Sequence, residues 1–108
     1  MAVLSINDIF GANATQTADR FTITKSDLPT LTPKADNNGE QLLVAVILAA
    51  AAKLTDANRA NNDDQRVSIV YGGQTVYPGS GGKNESQHSY TITLHKPVPA
   101  EAVDADDY

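Results

Sequence analysis

Cysteine and tryptophan are both missing from this chain, and methionine occurs only as Met1. Without thiols there can be no disulfide, no thiolate-held zinc and no cysteine nucleophile, and the usual sequence clue to redox compartment is gone. Positive charge is scarce too: eight Lys and Arg stand against thirteen Asp and Glu, for a net charge of −5. Those eight are scattered singly from Arg20 to Lys96. Binding nucleic acid through its phosphates requires clustered cations, so no nucleic-acid partner is expected. Long hydrophobic runs are also lacking. The longest, Leu42–Ala52, would rise only about 16 Å as a helix, roughly half the hydrocarbon thickness of a bilayer. It begins too far along the chain, with no basic segment at Met1, to read as a secretory signal. No membrane span and no signal peptide are expected.

That run is nonetheless the most informative segment present. Leu42-Leu-Val-Ala-Val-Ile-Leu-Ala-Ala-Ala-Ala52 is apolar on every side of a helix, whereas a surface helix shows one apolar stripe. Asn38 is placed to cap it, with Gln41 at the capping-box position, Glu40 in the first turn and Lys53 near the end. The spacing predicts a helix from about Gly39 to Leu54. At 100° per residue it has two unlike faces. Leu42, Leu43, Val46, Ile47 and Leu54 form a broad face of large side chains suited to a sheet. Ala45, Ala49 and Ala52 form a narrow ridge of methyls on the other side, bordered by Val44 and Leu48. Alanine is the best helix former, so the ridge is either plain core or a surface that lets another chain approach closely. A single domain of 108 residues has little else with which to surround such a helix, so part of its cover is expected from another copy or another protein.

Around the helix the chain reads as strand. Arg20-Phe-Thr-Ile-Thr24 alternates, as does Arg66-Val-Ser-Ile-Val-Tyr71. Gly72-Gly73 signals a tight hairpin turn into Gln74-Thr-Val-Tyr77. Ser89-Tyr-Thr-Ile-Thr-Leu-His95 supplies a fourth strand, with Tyr90, Ile92 and Leu94 inward. Alternation with Thr and Ser on the other side describes a sheet covered on one face and wet on the other. The expected fold is therefore α+β: a small four-stranded sheet, antiparallel or mixed, in the order β-α-β-β-β, with the apolar helix on one face. Leu28-Pro-Thr-Leu-Thr-Pro33 is an extended connector into the helix. Pro78–Gln87, rich in Gly and Ser, reads as a flexible loop.

Both ends read as arms flanking a domain over residues 20–96. Residues 1–19 carry Val3, Leu4, Ile6, Ile9 and Phe10, then a polar stretch. Residues 97–108 hold Glu101, Asp104, Asp106 and Asp107 with no cation among them, and without those four the chain is almost neutral. Two prolines keep the start of this acidic arm out of helix. The arm is either a solvated tail or a segment that docks through Val98, Val103 and Tyr108.

The search for chemistry returns negatives. The glycine run Gly79-Ser-Gly-Gly-Lys83 lacks the Ser or Thr after lysine and the spacing of a Walker loop. His88 and His95, the only histidines, fall on opposite faces if they share one strand, which argues against a common metal site. The clusters Asp36–Glu40 and Asn61–Asp64 offer oxygens, yet neither has the spacing of an EF-hand loop. No serine sits in a nucleophile-elbow context, and no carboxylate pair stands out. No catalytic residue, cofactor or metal is expected. The chain reads as a non-enzymatic structural protein that works in a homo-oligomer or a larger assembly, in the manner of a virion decoration, cement or tail component. Its expected interface is Ala45, Ala49 and Ala52 on the helix, Val3, Leu4, Ile6 and Phe10 in the N-terminal arm, and Val98, Val103 and Tyr108 in the C-terminal one. The alternative is a small acidic module or inhibitor that occupies a basic site on a partner protein.

Overall fold

The structure, a computed structural model, describes residues 3–96 and 102–108. It is α+β. In chain order the elements are helix α1 (Ile6–Phe10), strands β1 (Thr15–Gln16) and β2 (Phe21–Thr22), helices α2 (Gly39–Lys53) and α3 (Asp56–Ala60), and strands β3 (Val67–Pro78) and β4 (Asn84–Leu94). The strands form two separate antiparallel pairs, β1 with β2 and β3 with β4, rather than one four-stranded sheet. The strand that begins near Arg20 stops after two residues because Lys25–Asp27 turns in a short 3-10 helix. Leu28 is then drawn inward and buried.

Helix α2 starts where the capping signal places it. The Gln41 N–H donates to Asn38 Oδ1 at 2.8 Å, and the Asn38 N–H donates to Gln41 Oε1 at 3.1 Å. The alanine ridge lies deepest, while Leu42, Val46, Ile47 and Leu54 of the broad face are only half-buried. Ala45 (2% exposed) and Ala49 are buried against Leu28, with Ile23, Leu31 and Val46 packed around them. Leu43, expected against a sheet, is 59% exposed, and Val44 is exposed beside it. The cause is close approach: the extended connector around Leu28 lies against the helix, and only methyl-sized side chains leave room for it. Ala45 and Ala49 are thus covered by their own chain, while Ala52 remains exposed.

The N-terminal segment is folded onto this core. Ser5 caps α1 and Asp8 answers it, and the Asn7 side chain donates to the carbonyls of Gly11, Ala12 and Ala14. The Asn13 N–H and side-chain amide both donate to the Asp27 carboxylate, at 3.1 and 3.0 Å. Phe10 meets Phe21 edge-on, with ring centroids 5.0 Å apart. Gly11, at φ +110°, ends α1 at a point where any Cβ would collide with Asp27. Among the described residues of the C-terminal segment, Asp107 forms an ion pair with Lys96 at 2.6 Å. Tyr108 lines a cavity of about 190 Å³ together with Val3, Leu4, Ile9, Leu54 and Val67. Residues of both termini therefore line one cavity at the root of β3.

Strands β3 and β4 make one long hairpin. Gly72-Gly73 does not turn the chain; Tyr71 pairs with Tyr90 and Gly73 with Ser89, so the two glycines form a bulge within β3. Gly73 is at φ +117°, a conformation that a bulge and a tight turn both demand, which is why the dipeptide reads as either. The reversal falls instead at Gly79–Lys83, where Gly81 and Gly82 both have positive φ and the Gly79 N–H donates to the Lys83 carbonyl. The predicted loop is accordingly shorter, and β4 begins at Asn84. At the hairpin's root Gln65 (3% exposed) donates to the carbonyls of Thr55 and Val67, tying the α2–α3 connection to β3.

The whole is elongated. Its radius of gyration is 16.4 Å, with extents of 48 × 33 × 26 Å; a compact chain of this length would have about 13 Å.

Candidate interaction surface

The register of β3 and β4 fixes which side chains share a face. Directly opposed residues point the same way, so Val67 with Leu94, Ile69 with Ile92, and Tyr71 with Tyr90 form one apolar ladder. This is the inward set that the alternation predicts, and the register does bring it together. Only Ile69 is buried. Ile92 is 53% exposed, and Tyr71, Tyr90 and Leu94 are exposed with it. Beyond the bulge Val76 continues the same face into solvent. The ladder is therefore assembled but not covered.

Its aromatic end is organised by polar contacts. Tyr71 and Tyr90 lie with ring centroids 5.2 Å apart. The Tyr71 hydroxyl shares a hydrogen bond of 2.9 Å with His88 Nδ1, His88 Nε2 lies 3.2 Å from Ser86 Oγ, and Gln74 donates to Ser86 at 2.7 Å. Ser86 and His88 approach a nucleophile–base pair in distance alone. Among the described residues no carboxylate hydrogen-bonds to the imidazole to orient it, and the group lies on an exposed strand. The arrangement fixes the Tyr71 and His88 rings on the apolar face; it is a cross-strand polar ladder.

His95 lies elsewhere, at the root, where its Nε2 shares a 3.2 Å hydrogen bond with the buried Ser68 hydroxyl. The asparagines of the two Asn/Asp clusters are engaged locally. Asn37 accepts from the Lys34 N–H, Asn38 caps α2, Asn61 donates to the Ala57 carbonyl, and Asn62 accepts from the Asp64 N–H. Among the described residues no three His, Asp or Glu side chains are grouped to hold a metal ion. No helix there is long and apolar enough to cross a membrane.

The expected interface residues divide into three groups. Ala45 and Ala49 are interior. Leu4, Ile6, Phe10 and Tyr108 are half-buried against the body, and Ala52, Val3 and Val103 are exposed. Val98 lies outside the described residues. Sequence reasoning missed the exposure of the hairpin ladder and of Leu43 and Val44. A signal for it existed: apolar alternation runs through both Val67–Val76 and Ser86–Leu94, while the chain holds only one apolar helix to cover it.

The clearest electrostatic effect is remote from this surface. The Asp8 carboxyl titrates below the ordinary aspartate range, chiefly because it accepts the Ser5 backbone N–H at 2.9 Å, and also through the Ser5 hydroxyl. Both bonds favour the charged form.

Comparison with protein-family models, with curated proteins and with solved structures finds no match to this chain.

Proposed function

We propose that this protein is a non-enzymatic structural component that self-associates, burying the apolar hairpin face and the outward side of α2 against further copies of itself. The observation that carries this is surface area. The chain exposes 7957 Å². A compact monomer of its mass exposes about 5,800 Å². The excess, about 2,200 Å², is comparable to what one subunit loses in an obligate dimer, where the two partners together bury 2,000–5,000 Å² or more. The excess is also apolar where it matters. Ile92, Tyr71, Tyr90, Leu94 and Val76 on the hairpin and Leu43 and Val44 on the helix are the kind of side chain that a soluble monomer keeps inside.

Composition supports a protein partner over other classes, since the chain is acidic and shows no cluster of cations for phosphate. The cluster that most resembles catalytic chemistry, Ser86–His88–Tyr71, lies on an exposed strand with no orienting carboxylate among the described residues, which favours a structural role. Among the described residues of the acidic C-terminal segment, Asp107 is engaged by the chain's own Lys96.

Sedimentation equilibrium on Ile92→Asp and Leu43→Asp tests the reading. Both side chains are exposed in the single chain, so monomer stability should move by no more than about 0.5 kcal/mol. If they are central to a self-interface, each should weaken association by about 2 kcal/mol or more, roughly 30-fold. Association of both variants at wild-type strength would refute the proposal.

A further inference from the structure

We infer that a second copy of the chain pairs its β4 with this β4, antiparallel across a two-fold axis perpendicular to the sheet, so that two hairpins make one four-stranded intermolecular sheet. This rests on the self-association proposed above and names its contact. The choice of β4 follows from the backbone. The His95 N–H donates to the Arg66 carbonyl at 2.7 Å, which sets the alternation along the ladder. Odd-numbered residues of β4 turn their peptide groups toward β3, and Tyr90, Ile92 and Leu94 turn theirs away. On β3 the equivalent outward group is already used: the Ile69 N–H donates to the Leu54 carbonyl at 2.7 Å, where the end of α2 closes that edge. Among the described residues no backbone bond reaches β4 from outside the hairpin. The β3 edge is engaged at its root and beyond that carries the bulge and Pro78, whereas the β4 edge is open along its length.

The open edge also lacks the devices that keep edges apart. Proteins protect exposed strands with proline, charge, bulges or shortness. Strand β4 is eleven residues long, about 36 Å, with no proline and with Glu85 as its one charge; the bulge lies in β3. A strand so unprotected at an open edge is built to be paired.

A second copy is the occupant that fits. An antiparallel β4–β4 contact is self-complementary, as a two-fold interface must be. An axis perpendicular to the sheet keeps the Ile69–Ile92 and Tyr71–Tyr90 ladders of both copies on one side, joining two narrow apolar strips into one. A two-stranded ribbon is about 10 Å across, no wider than a single helix, and gives a helix little to sit on. Four strands, about 19 Å across, provide that footprint. Edge pairing leaves the widened apolar face itself open, and so supplies the surface that the further copies proposed above would cover.

The absence of cysteine makes a direct test available, since any introduced thiol is unique. Single cysteines are placed at each position from Ser86 to Thr93, with Thr75→Cys on β3 and Leu43→Cys on α2 for comparison. Each protein is oxidised with diamide, and wild-type mass is measured alongside by light scattering. Opposed Cα atoms about 4.5–5.5 Å apart lie within disulfide range, so the cysteine at the two-fold, which faces its own copy, should form a covalent dimer. Thr75→Cys, separated from its copy by two intervening strands, should not. An associating wild type in which no β4 position cross-links overturns the β4 contact and leaves self-association standing, whatever Leu43→Cys does. A wild type that stays monomeric, with no cross-link anywhere, overturns both.

Discussion

The two ends of this molecule treat apolar residues in opposite ways. At the root, Ala14, Leu28, Ala45, Ala49 and Ile69 are buried, and three of those five are alanine. Polar side chains hold that region together: Asn7 on three carbonyls, Asn13 on Asp27, and Gln65 on Thr55 and Val67. Along the hairpin beyond Ile69 the larger side chains, Tyr71, Val76, Tyr90 and Ile92, stand in solvent. Burying a methyl gains far less than burying a Leu, Ile or Tyr, about 25 cal/mol for each Å² removed from water. The single chain therefore leaves much of its available hydrophobic stabilisation unrealised. On the proposal above, assembly would complete that surface. The root is specified by hydrogen bonds and small residues that fit closely, and the hairpin by a register that waits for its cover.

Substitution at the root should have the largest effect. Ala45→Asp places a charge at a position 2% exposed, against Leu28, with no partner in that cluster. It should cost several kcal/mol and unfold a domain of this size, as followed by circular dichroism on heating. The same residue type at Ile92 should leave the monomer's melting nearly unchanged. Equal melting losses at the two sites would erase the contrast between root and hairpin.

A smaller loss is expected at Gln65. Gln65→Ala removes the donor shared by the Thr55 and Val67 carbonyls, at 3.0 and 2.9 Å. Stability should fall by about 1–3 kcal/mol in urea titration, because two half-buried acceptors lose their partner. The loss should appear in the monomer as well as in any assembly. A wild-type midpoint would show that Gln65 does not join β3 to the helices.

The smallest effect is local. The Asp8 carboxyl is held below its ordinary range by the Ser5 N–H, so the charged form contributes to the α1 cap above the unfolded-state pKa. That contribution is lost as pH falls through the lowered folded-state value. Protection of the α1 amides, relative to the intrinsic exchange rate at each pH, should fall in acid, while Ser5→Ala should lower it at neutral pH. Unchanged protection in α1 down to pH 2 would remove Asp8 from the cap.

Local chemistry was legible in the sequence and burial was not. Asn38 and Gln41 announce the start of α2 because a capping box involves only neighbouring atoms. The alternation of Ile69 with Tyr71 and of Tyr90 with Ile92 announces a shared face, because period two is a property of the strand itself. Which face becomes covered is decided by elements distant in sequence. Leu28, in an extended connector, claims the Ala45–Ala49 ridge and so turns Leu43 outward; nothing within the helix encodes that choice. The Gly72-Gly73 ambiguity has the same origin, since a bulge and a turn ask for the same backbone freedom. The single-sheet expectation joined four alternating runs, but the first is cut short by the 3-10 turn at Lys25–Asp27 and pairs with Thr15–Gln16 instead.

Molar mass in solution tests the central claim most directly. Light scattering on the wild-type chain, across concentrations up to about 1 mM, should give a multiple of 11.4 kDa that grows or saturates with concentration. A mass of 11.4 kDa throughout that range would mean that the hairpin ladder and the outer side of α2 are not covered by another copy, and self-association would fail as the protein's role.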